Sequence, residues 1–134
     1  MFLRVIKFRG KNTGSGRWIH GAYIPPDCSY WREPSIANLN HRYVIAPESL
    51  GQYTGLCDSE GKEIYEGDIL KIVFPERYEE GPLTGVVYFE RTQWIVRNKM
   101  RNCELAVLVF AGGAKSKVLG NVFDNPELLE AKND

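Results

Sequence analysis

At 134 residues, 43% hydrophobic and 25% charged, the chain has the length of one globular domain spanning residues 1–134 and a composition that excludes disordered and collagenous classes. No apolar run approaches the roughly 20 residues that cross a bilayer as a helix, and charge recurs early where a signal peptide is apolar, so no membrane partner and a cytoplasmic location are expected. Seventeen basic and seventeen acidic side chains cancel to a formal charge of zero, which conceals a segregation along the chain.

Apolar and polar residues alternate in Val5 to Arg9 and again in Trp18 to Ile24, which predicts two half-buried strands. Lys11 to Gly16 between them is turn chemistry, so the chain is expected to open as a β-hairpin. Pro25-Pro26-Asp27 ends the second strand, and a polar connector interrupted by proline runs to Asn40. Arg42 to Ile45 reads as a short strand stopped by Pro47. In Gly51 to Ile72, Asp58 to Gly61 and Glu66-Gly67-Asp68 are two turns, each with an Asp able to bind nearby backbone and a Gly able to take positive φ. Ile69 to Val73 then rises into a strand, followed by a polar loop over Pro75 to Thr84. Arg91-Thr92 joins the predicted strands Gly85–Glu90 and Gln93–Arg97. Glu104 to Phe110 is the most apolar strand, Gly112-Gly113 a turn, and Lys117 to Phe123 the closing strand. Asn125-Pro126-Glu127 supplies a cap, a proline and an acid, predicting one short terminal helix docked by Leu128 and Leu129. Six to eight short strands with frequent turns amount to an all-β roll or small barrel. No internal repeat is visible in the sequence.

From Met1 to Arg42 there are seven Lys/Arg against two Asp/Glu, from Tyr43 to Glu90 three against ten, and from Arg91 to Phe123 six against one. Such blocks can face one another within the fold, face a second copy, or leave a basic surface for an anionic partner. The odd, scattered cysteines Cys28, Cys57 and Cys103, with His20 and His41, have neither disulfide nor zinc spacing, so no cofactor is expected.

Three blocks carry a resemblance: Ile6 to Lys11 with Gly16-Arg17-Trp18 and Gly21; Gly51 to Leu56 with Asp58 and Gly61 to Ile69; and Gly120 to Leu129. Together they resemble the YopX-like family of phage and prophage proteins over essentially the whole chain. The resemblance implies an SH3-like barrel with extra strands and a phage or prophage origin, and it carries no catalytic or binding residues. Gly51, Tyr53, Gly55, Asp58, Gly61, Tyr65, Glu66, Gly67 and Asp68 belong to its central motif, with Cys57 and the loops 29–40 and 74–85 departing from the family pattern.

Candidate chemistry is sparse. Ala111 to Ser116 fails the spacing of a phosphate-binding loop, and no serine or histidine lies in a nucleophile motif, so no enzyme activity is expected. Asp58, Glu60, Glu63, Glu66 and Asp68 form an acidic run with two readings: a divalent-metal site for hydrolysis, or turn residues serving the backbone, with Asp68 singled out as an amide cap. Arg91, Trp94, Arg97, Lys99 and Arg101 interleave basic and aromatic side chains as nucleic-acid binders do, although strand alternation can equally bury Trp94 and turn the charges outward. The leading expectation is a non-catalytic binding or assembly module that forms homo-oligomers. A nucleic acid or a phage or host protein is the alternative partner.

Overall fold

A computed structural model describes residues 4–27, 32–75, 81–98, 103–106 and 113–130. It is all-β, with only antiparallel ladders, and the chain divides into two compact units, Met1–Gly55 and Leu56–Asp134. Among the described residues no helix is long and apolar enough to cross a membrane.

The first unit holds β1 (Phe8–Lys11), β2 (Trp18–Ile24), β3 (Ser35–Asn38), β4 (His41–Val44) and the start of β5 (Gly51–Cys57), ordered β4-β3-β2-β1-β5. The predicted hairpin is present, and Asn12 makes its turn: the side-chain oxygen accepts from the Ser15 amide at 2.8 Å while Nδ2 donates to the Val44 carbonyl at 2.9 Å. An isolated bridge between Asn12 and Ile45 draws β4 back toward the end of β1, so the sheet rolls on a single bridge without a continuous closing ladder. Roll and close packing explain two family glycines. A Cβ on Gly10 would lie 2.5 Å from Ile45 Cδ1, and one on Gly21 would lie 2.2 Å from the Ala37 carbonyl oxygen. Ile36 and Ile45 are fully buried on that face, with Phe8 and Tyr23 packed ring to ring at 5.6 Å. A 3-10 helix, Pro47–Ser49, leads into β5, and Ser49 Oγ accepts the Lys11 amide at 2.8 Å.

β3 lies where the connector to Asn40 was expected to be irregular. Ser35-Ile36-Ala37-Asn38 has little strand signal, and its conformation comes from ladders to β2 on one side and β4 on the other. The two-residue turn after it places Leu39 at φ 54° and almost fully exposed.

The second unit holds the end of β5, then β6 (Glu63–Tyr65), β7 (Asp68–Val73), β8 (Leu83–Glu90), β9 (Gln93–Asn98), β10 (Cys103–Ala106) and β11 (Lys115–Asn121). Its main sheet runs β10-β9-β8-β7-β11. Both units thus share one connectivity, a four-strand meander whose fifth strand returns to the outer edge of the first, a repeat of topology that the sequence does not display. The core of the second unit is Ile64, Leu70, Ile72, Val87, Val96 and Val118, flanked by Phe74, Trp94 and Ala114. A bulge between Val118 and Gly120 bends β11. Gly120 sits where a Cβ would meet the Asn125 side chain at 2.4 Å.

The expected barrel is two open sheets among the described residues, and the expected terminal helix is a five-residue 3-10 helix, Pro126–Glu130. Asn125 spends its side-chain oxygen on the Asn121 amide, 3.2 Å away, instead of capping a longer helix. The predicted strand residues 107–110, Cys28, and parts of the loops 29–40 and 74–85 lie outside the described residues, as does Gly112 of the predicted turn.

Candidate functional site

The acidic run resolves into turns. Asp58 follows β5 and is buried; its Oδ1 accepts the amides of Glu60 and Lys62, each at 2.9 Å, and its Oδ2 accepts the amide of Val118 in β11 at 3.0 Å. Gly61 completes the turn at φ 85°, donating its amide to the Asp58 carbonyl at 3.0 Å. Burial pushes the Asp58 carboxyl upward, but the three amides, of Val118, Lys62 and Glu60, together with the Lys62 charge outweigh it and hold the group below the usual carboxylate value. Next door, Ser59 exchanges two hydrogen bonds with Ser116, so this turn is stitched to β11 at three points.

Asp68 is likewise buried and accepts the Tyr65 amide at 2.7 Å, the capping role expected for it. Between them Gly67 takes φ 89°, donates to the Val87 carbonyl and accepts from Val122. Tyr65 donates its hydroxyl to Glu63 at 3.0 Å, and Glu60 lies 3.8 Å from Lys117. Glu66 is half-buried in the same turn. Gly51 pairs with Arg9, the Tyr53 amide donates to the Lys7 carbonyl at 2.9 Å, and Gly55 takes φ 89°. Among the described residues no three of His, Cys, Asp and Glu converge as metal ligands. The geometry of the central motif is that of chain direction and capping.

The basic and aromatic residues of β8 and β9 are distributed by strand alternation. Trp94 is half-buried against the core and meets Phe89, directly opposite on β8, edge to face at 4.9 Å. Arg97 points to the other face, where it pairs with Glu90 and lies 5.1 Å over the Tyr88 ring. The hydrogen bond from Arg97 to Glu90 lowers the Glu90 pKa. Arg91 is exposed at the tip, with φ 50°, beside Thr92 at φ 64°. Lys99 and Arg101 lie outside the described residues. Trp94 and Arg97 therefore share neither a face nor a task, and the described part of the segment is not one continuous binding surface.

A different surface brings cations and rings together. Alternate residues of a strand share a face, so Lys7, Arg9 and Lys11 point one way while Phe8 and Gly10 point into the core. The register pairs Lys11 with Trp18 and Arg9 with Gly51, putting Trp18 of β2 and Tyr53 of β5 on the basic face. Arg9 lies 4.8 Å and Lys11 5.7 Å from the Trp18 ring centroid, and Lys7 lies 5.1 Å from that of Tyr53. All five side chains belong to half-buried residues. His20, opposite Arg9, is exposed on the same face. β1 to β5 contain no Asp or Glu at any position. Basic residues at every second position, 7, 9 and 11, are the sequence signal for this surface. It passes unnoticed because the apolar members of the same alternation define the strand.

Comparison with known proteins places the fold. No curated protein matches the chain. The crystal structure of protein EF1440 from Enterococcus faecalis superposes with a TM-score of 0.58 over 93% of this chain and 98% of that one, at 21% identity, a likeness of fold alone. The family model described as YopX protein matches residues 7–130, and the chain belongs to that family.

Proposed function

We propose that this chain is a non-catalytic binding module that holds a nucleic-acid strand on the β1–β2–β5 face of its first unit. The observation behind it is the alternation of Lys7, Arg9 and Lys11 beside Trp18 and Tyr53. Cations two residues apart on a strand recur about every 6.6–6.8 Å and can track a phosphate backbone. The rings offer π-faces on which bases stack whatever their identity, which suits a sequence-tolerant single-strand binder. The SH3-like roll belongs to this reading, supported by the meander and returning strand found in both units. So does a setting in phage or prophage biology within the bacterial cytoplasm, which the family resemblance suggests.

The test is fluorescence anisotropy with a mixed-sequence single-stranded oligonucleotide across a salt series. The triple variant Lys7→Gln, Arg9→Gln, Lys11→Gln should bind far more weakly and flatten the log–log salt slope by about 2, from three phosphate contacts at ~0.7 each. An unchanged slope in a folded triple variant would sink the proposal. Self-association is the second reading, favoured by the opposite charge balance of the units: seven Lys/Arg against three Asp/Glu up to Gly55, and ten against fourteen after it. Light scattering at low and high salt, without oligonucleotide, detects it as a multimer that dissociates with salt.

A further inference from the structure

The second unit carries a charge arrangement that its folding does not call for. Lys71 of β7 stands directly opposite Lys117 of β11 in the ladder, and Lys115 lies on the same face one diagonal away. Directly opposed side chains hold their Cβ atoms about 4.5–5.5 Å apart, and like charges in that relation destabilise a sheet. All three lysines are exposed. Among the described residues the ion pair on this patch is Lys117 with Glu60, at 3.8 Å and with side chains 59% and 66% exposed, a contact too long and too wet to offset the repulsion. Among the described residues neither Lys71 nor Lys115 has an ion pair. The unit as a whole has more acidic than basic residues, so a concentration of lysines on one strand pair is a local feature.

We infer that Lys71, Lys115 and Lys117 form a second anion site, which takes a phosphate-bearing oligoanion through charge alone. The patch has no aromatic side chain on β7 or β11 to stack a base. Its chemistry therefore differs from that of the first unit, and it recognises the phosphate groups of a nucleic-acid backbone or of a free polyphosphate equally. Only the identity of a polymeric ligand rests on the nucleic-acid reading given above.

Tripolyphosphate, which carries charge and no base, is the probe, titrated into the full chain by isothermal calorimetry at low salt. The first-unit triple variant, its own phosphate contacts removed, should still bind, and adding Lys71→Gln/Lys117→Gln to it should weaken that binding at least tenfold. Equal binding by the triple variant with and without Lys71→Gln/Lys117→Gln, or no binding by the triple variant, would overturn the inference. Lys71→Glu, which leaves the Lys117–Glu60 contact in place, supplies an independent sign. It replaces a repulsive pair by an attractive one, so its melting temperature should rise by a few degrees while tripolyphosphate binding to the patch is lost. A melting temperature that falls would refute the repulsion on which the inference stands. Oligonucleotide titrations separate the two readings. Tripolyphosphate binding that needs Lys71 and Lys117, without any oligonucleotide binding, upholds the lysine site for free phosphate compounds and defeats the nucleic-acid reading. Oligonucleotide binding that needs Lys7, Arg9 and Lys11, with tripolyphosphate indifferent to Lys71 and Lys117, does the reverse.

Discussion

Asp58→Asn is the sharpest single test of how the central motif works. Asparagine keeps one carbonyl oxygen for the Glu60 and Lys62 amides but turns an NH2 group toward the Val118 amide, so two donors meet where the carboxylate accepted at 3.0 Å. The unpaired buried amide costs about 1–3 kcal/mol, and the two remaining bonds lose their charge assistance, roughly 1 kcal/mol between them, for a total of about 2–4 kcal/mol. For a unit of this size each kcal/mol corresponds to ~4–8 °C, so thermal unfolding followed by tryptophan fluorescence should report a drop of at least ~8 °C. The acid limb carries the same information. Because the folded-state pKa of Asp58 lies below its unfolded value, its contribution is complete above the unfolded carboxylate value of about 3.9 and fades as pH falls from there through the folded value. Asp58→Asn should lack that component of acid unfolding. A variant within about 0.5 kcal/mol of wild type at neutral pH would refute the capping role and reopen a chemical one for the carboxylate.

Gly21→Ala should destabilise the first unit by about 3 kcal/mol or more in urea unfolding, because the added methyl meets backbone, the Ala37 carbonyl. Gly14→Ala, whose methyl would find its nearest neighbour at 3.5 Å, should stay within about 1 kcal/mol. Arg91→Asn/Thr92→Gly should stabilise the β8–β9 hairpin by roughly 1 kcal/mol, since both turn residues take positive φ and left-handed backbone costs ordinary residues about 1–2 kcal/mol each; a lower melting temperature would contradict this. Arg97→Gln should leave oligonucleotide affinity within twofold, its guanidinium being engaged by Glu90 and Tyr88. Trp18→Ala should weaken it by ~5- to 150-fold, the equivalent of 1–3 kcal/mol of stacking, as anisotropy would measure.

What the sequence reveals here is local chemistry, and what it hides is pairing. The turns at Asp58–Gly61 and Arg91–Thr92 are legible because their side chains and glycines act within a few residues. Asp68 is legible as a cap for the same reason. β3 is not, because Ser35 to Asn38 becomes extended only between two neighbours, and β6 is only three residues long. The basic face fails by another route. Lys7, Arg9 and Lys11 form a surface with Trp18 and Tyr53 only after a hairpin and a returning strand supply the register. Conversely, Trp94 and Arg97 look like neighbours in sequence, but they are an odd number of residues apart on a strand and face opposite ways.

The returning fifth strand sets an order on folding. In each unit the first strand of the meander ends up between two partners, one close in sequence and one far: β7 pairs with β8 after a single loop, but its other edge waits for β11, which joins Asp68 to Asn121. During synthesis the strands of the first unit can all pair with one another once β5 has left the ribosome. The second must keep the outer edge of β7 unsatisfied until β11 emerges. That interval leaves Ile69, Leu70 and Ile72 on a strand with one open edge, which makes slow translation after β10 the point at which aggregation competes with folding.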